Sequence, residues 1–253
     1  MKDAIQRLRA AGVDNPRLDA RVLREAAADD SEFESFIVRR VAREPVAYIT
    51  GHKEFWSLDF EVGPGVLIPR PETETLIEQM LAHFPDRAAP LDILDLGTGS
   101  GCLLVAALLE YPNARGLGVE SANEALGWTH RNIQKHGLGD RAFRLIQDFA
   151  LPSGAYHVIL CNPPYISSAD IAGLEPEIRL YEPRAALDGG PDGLDAYRAL
   201  GRVLGRQLEP GGLAFLEIGA GQGDAVPGLL GLETLGIAPD LAGIPRVVIG
   251  RKS

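Results

Sequence analysis

Two short segments carry the residue types from which chemistry can be built. The first, Asp95-Leu96-Gly97-Thr98-Gly99-Ser100-Gly101, follows a strand-like run, 91–96, and opens an almost wholly apolar helix, 101–110. Three residues without a Cβ let a ligand approach the backbone, and free N–H groups at the helix start are expected to face it, so a nucleotide-like ligand is the natural reading. Twenty-three residues after Gly97, Glu120 ends the next strand, where a carboxylate can accept hydrogen bonds from both hydroxyls of a ribose. The glycine spacing is Gly-x-Gly-x-Gly with Cys102 next, whereas dinucleotide folds use Gly-x-Gly-x-x-Gly. Pyrophosphate binding loses weight, and S-adenosylmethionine gains it: this ligand has a ribose and an adenine, no phosphate, and a sulfonium cation that suits an acidic chain. The bland alternative is a tight strand-to-helix turn, against which the Glu120 partner counts.

The second segment is Asn162-Pro163-Pro164-Tyr165, at the end of the apolar run 157–161. An Asn side-chain oxygen and the carbonyl before a proline can both accept hydrogen bonds, and consecutive prolines hold those acceptors still while offering no competing N–H. An NH2 group fits such a pair, with Tyr165 able to pack on its planar face. The chemistry expected is methylation of an amide or amino nitrogen. No strong base is needed beforehand, and orientation supplies most of the acceleration, up to ~7–11 kcal/mol. A rigid Pro-Pro turn after a strand is the alternative without function.

These segments need a scaffold, and the rest of the chain supplies one. Of 253 residues, 45% are hydrophobic and 24% charged, the balance of a globular protein with one large domain or one domain and an appendage. The longest strictly apolar run, 102–109, falls short of the ~20 residues that span a bilayer, and no apolar stretch follows Met1-Lys2, so a cytoplasmic protein is expected. Cys102 and Cys161 match no zinc or disulfide pattern, and the five histidines form no ligand spacing, so no metal is expected. Residues 1–50 hold nine Lys/Arg and nine Asp/Glu, which leaves the whole net charge of −10 on residues 51–253. An acidic domain disfavours long nucleic acids, because each neutralised phosphate needs a cation.

Glycine marks the organisation: only Gly12 of 29 glycines falls in the first fifty residues. That region reads as helical, with Leu18, Val22, Leu23 and Ala26 in one stripe and Phe33, Phe36, Ile37 and Val41 in another. The expected division is a helical domain at 1–45, a β-hairpin linker at 46–70, and an α/β domain at 71–253. In the last part helices at 73–84, 101–110 and 195–207 alternate with strands at 91–96, 116–120, 143–147, 157–161, 213–218 and 246–249, with a Pro210-Gly211-Gly212 turn. Ser121 and Glu124 are expected to form a capping box and Gly137 to stop the helix between them. Such alternation gives a mostly parallel sheet covered on both faces, with ligands beyond the carboxyl ends of its strands. In Arg70-Pro71-Glu72-Thr73-Glu74, the acidic residues suit a helix first turn as well as a site. Glu175, Glu177, Glu182 and Arg184 read as solvated charges.

The glycine loop, Asn162-Pro163-Pro164-Tyr165-Ile166 and Val66-Leu67-Ile68-Pro69-Arg70-Pro71-Glu72-Thr73-Glu74 together resemble the protein-(glutamine-N5) methyltransferases that modify peptide chain release factors. Leu18-Asp19-Ala20, Pro45-Val46-Ala47-Tyr48-Ile49-Thr50-Gly51, Glu54-Phe55, Asp192-Gly193-Leu194, and Asp240-Leu241-Ala242-Gly243 with Arg246 extend the likeness over nearly the whole chain. The resemblance implies a class I methyltransferase, Rossmann-like, with a seven-stranded sheet, a small N-terminal helical domain that recognises substrate, and a hairpin linker. It implies methyl transfer from S-adenosylmethionine, leaving S-adenosylhomocysteine, to the Gln of the Gly-Gly-Gln motif of bacterial release factors. Carried onto this chain, Gly97, Thr98, Gly99, Ser100 and Gly101 line the methionine part of the cofactor, Glu120 holds the ribose, Asp148 and Phe149 lie beside the adenine, and Asn162 contacts both cofactor and substrate. Asn162, Pro163 and Tyr165 are the expected catalytic residues, and Pro164 completes the glutamine pocket. The family more often has Asp where this chain has Glu120, and the segments around Asp29-Asp30-Ser31 and after Leu229 look shorter than the family's.

Three rival readings share parts of this pattern. An exocyclic amino group on a nucleic-acid base satisfies the same acceptors once the base is flipped out, and the acidic charge points away from it. A cousin acts on a ribosomal-protein glutamine, from which Pro-Arg-Pro-Glu-Thr-Glu points away. A cofactor-binding scaffold without turnover would have no need of Asn162.

Overall fold

The computed structural model of the protein describes residues 1–148 and 154–253. At the N-terminus, α1 (Lys2–Ala10), α2 (Pro16–Ala26) and α3 (Asp30–Val41) enclose Leu8, Ala20, Leu23, Phe33 and Ile37. Pro16 starts α2 with its φ already suited to a helix. Before α3 a reciprocal cap forms: Asp29 Oδ1 accepts from Glu32 N at 2.8 Å, and Glu32 Oε2 accepts from Ala28 N at 2.6 Å. Leu18, expected in the apolar stripe of α2, is 48% exposed. It stands two positions from Ala20, hence on the opposite side of the helix, and a three-helix cluster covers only one side.

The linker begins differently from its reading as extended chain, because Val46–Thr50 forms a short helix, α4, closed by Gly51 at φ 79°. Its Tyr48 is buried and donates to the Val66 carbonyl, tying α4 to the chain that enters the large domain. A two-stranded antiparallel hairpin follows, β1 (His52–Phe55) and β2 (Leu58–Glu61), turning through Trp56 and Ser57, both at positive φ.

The large domain holds a seven-stranded sheet. Its strands are β3 (Asp92–Leu96), β4 (Arg115–Glu120), β5 (Ala142–Ile146), β6 (Tyr156–Cys161), β7 (Leu208–Glu217), β8 (Glu233–Pro239) and β9 (Pro245–Arg251), in the order β5-β4-β3-β6-β7-β9-β8. Pairing is parallel from β5 to β7 and antiparallel at β9 and β8. The central strands are buried on both faces, which explains their unbroken apolar sequence: in β6, Val158 and Leu160 pack with α5 (Glu74–His83), α6 (Cys102–Glu110) and α7 (Asn123–Lys135), while Ile159 and Cys161 pack with α9 (Asp195–Gly201) and α10 (Leu204–Gln207). Helix α6 is apolar all round because Cys102 through Leu108 are all buried.

Several details depart from the sequence reading. The helix expected over 195–207 breaks into α9 and α10 after Gly201, where a Cβ would lie 1.9 Å from the Leu229 carbonyl; the backbones approach too closely for any side chain. The expected Pro210-Gly211-Gly212 turn is absorbed into β7, as an irregularity between the pairs Tyr156–Leu208 and Val158–Leu213. Strand β8 was outside the expected series, since an edge strand mostly exposed along its length shows no apolar alternation. The Ser121–Glu124 capping box does not form: Ala122 is the N-cap, and the Glu120 carboxylate takes the Ser121 and Ala122 N–H groups at 2.8 and 3.0 Å. The Ser121 amide, which a capping box would leave to Glu124, is thus already taken by Glu120. Among the described residues, no helix is long and apolar enough to cross a membrane.

Candidate active site

The glycine loop leaves β3 and enters α6 with Gly97, Gly99 and Gly101 at φ 72°, 56° and 81°, a region closed to most side chains. Four of its amides are satisfied within the protein. Gly97 N and Thr98 N donate to the Val119 carbonyl at 2.9 and 3.0 Å, Gly99 N to Glu120 Oε2 at 3.1 Å, and Gly101 N to the Thr98 carbonyl. The expected fan of free N–H groups is therefore absent at these four positions, as suits a ligand without phosphate. Behind the loop, α7 fixes two carbonyls: Thr129 donates to Gly99 O at 2.7 Å and Asn132 to Ser100 O at 2.9 Å. Asn132 also exchanges hydrogen bonds with the Glu61 backbone, pinning the hairpin to the same helix.

A cleft opens beyond the carboxyl ends of β3, β4, β5 and β6. Gly97, Thr98, Gly99 and Ser100 form one wall, Glu120, Ser121 and Ala122 another, Gln147 and Asp148 a third, and Asn162, Pro163 and Pro164 the end. Gly65, Val66, Leu67 and Thr73 cover it from the linker side, and Pro183, Ala185 and Ala186 from the loop after β6. A Cβ at Gly97 would meet no atom within 4 Å, so the loop leaves its open side to a ligand. A second, smaller cavity, lined also by Tyr165, Ile166, Ile178 and Leu187, shares Leu67, Arg70, Asn162, Pro163 and Ala186 with the first.

The expected site residues thus divide. Gly97, Thr98, Gly99, Ser100, Glu120, Asp148, Asn162, Pro163 and Pro164 border the cleft; Gly101 is buried beneath it as the N-cap of α6; Tyr165 borders only the second cavity. Phe149 lies outside the described residues. Thr73, Glu217 and the 183–187 segment were not singled out from the sequence.

Asp95 and Glu217 are buried carboxyls near the cleft whose protonation the fold shifts. Burial pushes Asp95 up to about 7, against the hydrogen bond it accepts from Thr98 Oγ1 at 2.6 Å. Burial likewise pushes Glu217 up to about 6, opposed by hydrogen bonds from Thr73 Oγ1 at 2.6 Å and Tyr165 OH at 3.1 Å. Both values exceed those of the unfolded chain, so the fold favours the protonated forms. Their contribution to stability is full below the unfolded values and lost as pH rises through about 6 and 7. Asp95→Asn is expected to flatten the fall of unfolding free energy between about pH 4 and 7, measured by urea titration; a slope equal to the parent's would remove burial of this carboxyl as a cause. The Cys102 thiol, pushed up to about 12 by burial, is no nucleophile at neutral pH.

The loop after β6 corrects another expectation, that its charges are solvated. Glu182 is buried and accepts from Ile68 N at 3.1 Å and from Arg70 at 2.5 Å. Glu177, in α8 (Pro176–Tyr181), binds Arg40 at 2.7 Å and Arg43 at 2.5 Å, joining the N-terminal helices to the roof of the site. Glu175 and Arg184 are exposed as expected. Glu74 accepts from the Trp56 amide at 2.8 Å while Glu72 is exposed, so the acidic pair of the 70–74 segment serves the helix start and hairpin. Among the described residues no group of three or more His, Cys, Asp or Glu could hold a metal ion.

Comparison with known proteins agrees with this architecture. Residues 72–174 match the model of the methyltransferase small domain. The chain is 41% identical to a release factor glutamine methyltransferase of Caulobacter vibrioides, covering 99% of this chain and 94% of that one. It is 43% identical to the protein of that name from Rhodospirillum rubrum, covering 97% and 82%. A methyltransferase structure from Pyrococcus furiosus, 18% identical with a TM-score of 0.54 over 88% of this chain and 99% of the other, shares the fold. With such identity along nearly its whole length, the chain belongs to the release factor glutamine methyltransferase family.

Proposed function

We propose that this protein transfers a methyl group from S-adenosylmethionine to the side-chain amide nitrogen of the Gln in the Gly-Gly-Gln motif of bacterial peptide chain release factors. The observation that carries the reading is the wall shared by two cavities: Asn162 and Pro163 border both the glycine-loop cleft and the smaller cavity beside Tyr165. A cofactor in the first and a carboxamide in the second would meet at that wall.

The residues present fit the cofactor. Gly97, Thr98, Gly99 and Ser100 would accommodate its methionine part, Glu120 its ribose hydroxyls, and Asp148 its adenine. When bound, it supplies an electrophilic methyl group on a sulfonium. The chain's own residues do the rest. Asn162 Oδ1 and the backbone carbonyl of Pro163, which precedes Pro164, accept the two N–H bonds of the glutamine amide and hold its nitrogen in one orientation. Pro163 and Pro164 keep those acceptors rigid, and Tyr165, at the second cavity, confines the planar amide. Residues 183–187 and 65–67 exclude water from above. Residues 1–45 act in recognition of the release factor, 46–70 as linker and 71–253 as catalytic domain.

Glu120→Ala is expected to weaken S-adenosylhomocysteine binding about ten- to a hundredfold in calorimetry, and an unaltered dissociation constant would remove the ribose assignment. The reading itself is tested by methyl transfer to purified release factor, with a Gln→Glu change in its Gly-Gly-Gln motif as control. Labelling should vanish in the control. Efficient labelling of adenine-containing RNA instead would replace this reading with the nucleic-acid one.

A further inference from the structure

Asn162 can do this work only if its carboxamide faces one way. Rotated by half a turn, it would present an NH2 to the substrate nitrogen, donor against donor. Nothing in its local sequence selects the orientation, since both neighbours are apolar: Cys161 is buried in β6 and Pro163 has no N–H. The selection comes from elsewhere in the fold.

Thr73 Oγ1 lies 3.0 Å from the Asn162 amide and 2.6 Å from Glu217 Oε2. An ionised carboxylate has only acceptors, so the single hydroxyl proton of Thr73 must go to Glu217. The hydroxyl then has only lone pairs left for Asn162, and the atom facing it must be Nδ2. Glu217 Oε1 is engaged in turn by Tyr165 OH at 3.1 Å, and Tyr197 OH holds the Glu217 backbone carbonyl at 2.8 Å. Thr73 and Glu217 are 3% and 1% exposed, so water does not scramble the chain of hydrogen bonds. We propose that Thr73 and Glu217 are positioning residues which fix the Asn162 carboxamide with Oδ1 as the acceptor offered to substrate.

Protonation of Glu217 adds a consequence. A neutral carboxyl can donate to Thr73, freeing the threonine proton to point at Asn162 and removing the preference. The charged and titratable groups facing Glu217 are Tyr165, Tyr197, Cys161, Cys102, Arg246 and Glu72. Arg246 favours the ionised form, Glu72 opposes it, and the Tyr165 hydroxyl donates to it.

The inference rests on the proposed methyl transfer for its kinetic readout, so the test includes one that needs no substrate. In nitrogen-15 spectra of the full-length protein, with the Asn162 side-chain signal assigned by its loss in Asn162→Asp, one Nδ2 proton should be protected from exchange in the parent and in Thr73→Ser, and unprotected in Thr73→Val. With saturating cofactor and release factor, Thr73→Val should lower kcat about tenfold or more while the KM for S-adenosylmethionine stays within about threefold, and Thr73→Ser should recover most of the loss. If Thr73→Val does not fold, the pH profile decides: the parent should have an acid limb of kcat near pH 6, and Glu217→Gln should lose it. Equal exchange in the Ser and Val variants, kcat unchanged in Thr73→Val, or an acid limb retained in Glu217→Gln would overturn the proposal. Failure of the parent to methylate release factor would strike the proposed function instead and leave the exchange result standing.

Discussion

Asn162→Ala is expected to lower kcat by about a hundredfold while cofactor affinity stays within about tenfold. Removing an acceptor from a desolvated donor costs ~1–3 kcal/mol, and loss of orientation adds to that. The cofactor cleft keeps most of its surface, since Asn162 is one of many residues along it. Single-turnover kinetics with S-adenosylhomocysteine calorimetry separates the two effects. An unchanged kcat would refute the role of Asn162; a parallel collapse of cofactor binding would make it a binding residue.

Glu177→Ala is expected to destabilise the protein by about 3 kcal/mol in urea unfolding, because it leaves Arg40 and Arg43 short of a counter-charge in a protected place. The Arg40 side chain is 7% exposed and keeps only Asp19, at 2.8 Å, as carboxylate partner. Since Glu177 joins α3 to α8, the loss should appear as earlier melting of the N-terminal helices. A change below about 0.5 kcal/mol would show that the pair behaves as an ordinary surface contact.

The sheet was legible because its central strands are buried on both faces, and 91–96, 116–120 and 157–161 announce that burial in their own composition. The glycine loop was legible for a similar reason: φ values that only glycine tolerates leave glycine in the sequence. Glu120 and Asn162 stand at strand ends, where a polar residue after an apolar run is visible. Glu217 also ends its strand after an apolar run, 213–216, but nothing local marks its partner: Thr73 sits between two glutamates at a helix start, and the bond between them joins residues 144 apart in the chain. Glu177 and Glu182 looked solvated in a Pro-containing loop; the half-burial of the first and burial of the second follow from Arg43 and Arg70, on segments more than 100 residues earlier. The Ser121–Glu124 signal was real in spacing, yet Glu120, one residue earlier, takes the Ser121 amide that Glu124 would have bound. Local pattern reports burial and backbone conformation well, and reports polar partnerships across the fold poorly.

The central claim is that the acceptors at Asn162 and Pro163 present a glutamine side-chain nitrogen to the cofactor's methyl group. Its most direct test is fragmentation mass spectrometry of a recombinant release factor after incubation with this enzyme and methyl-labelled S-adenosylmethionine. One added methyl on the side chain of the Gly-Gly-Gln glutamine is the expected result. A methyl located on any other residue, or an unmodified release factor beside an enzyme that binds the cofactor, would contradict it.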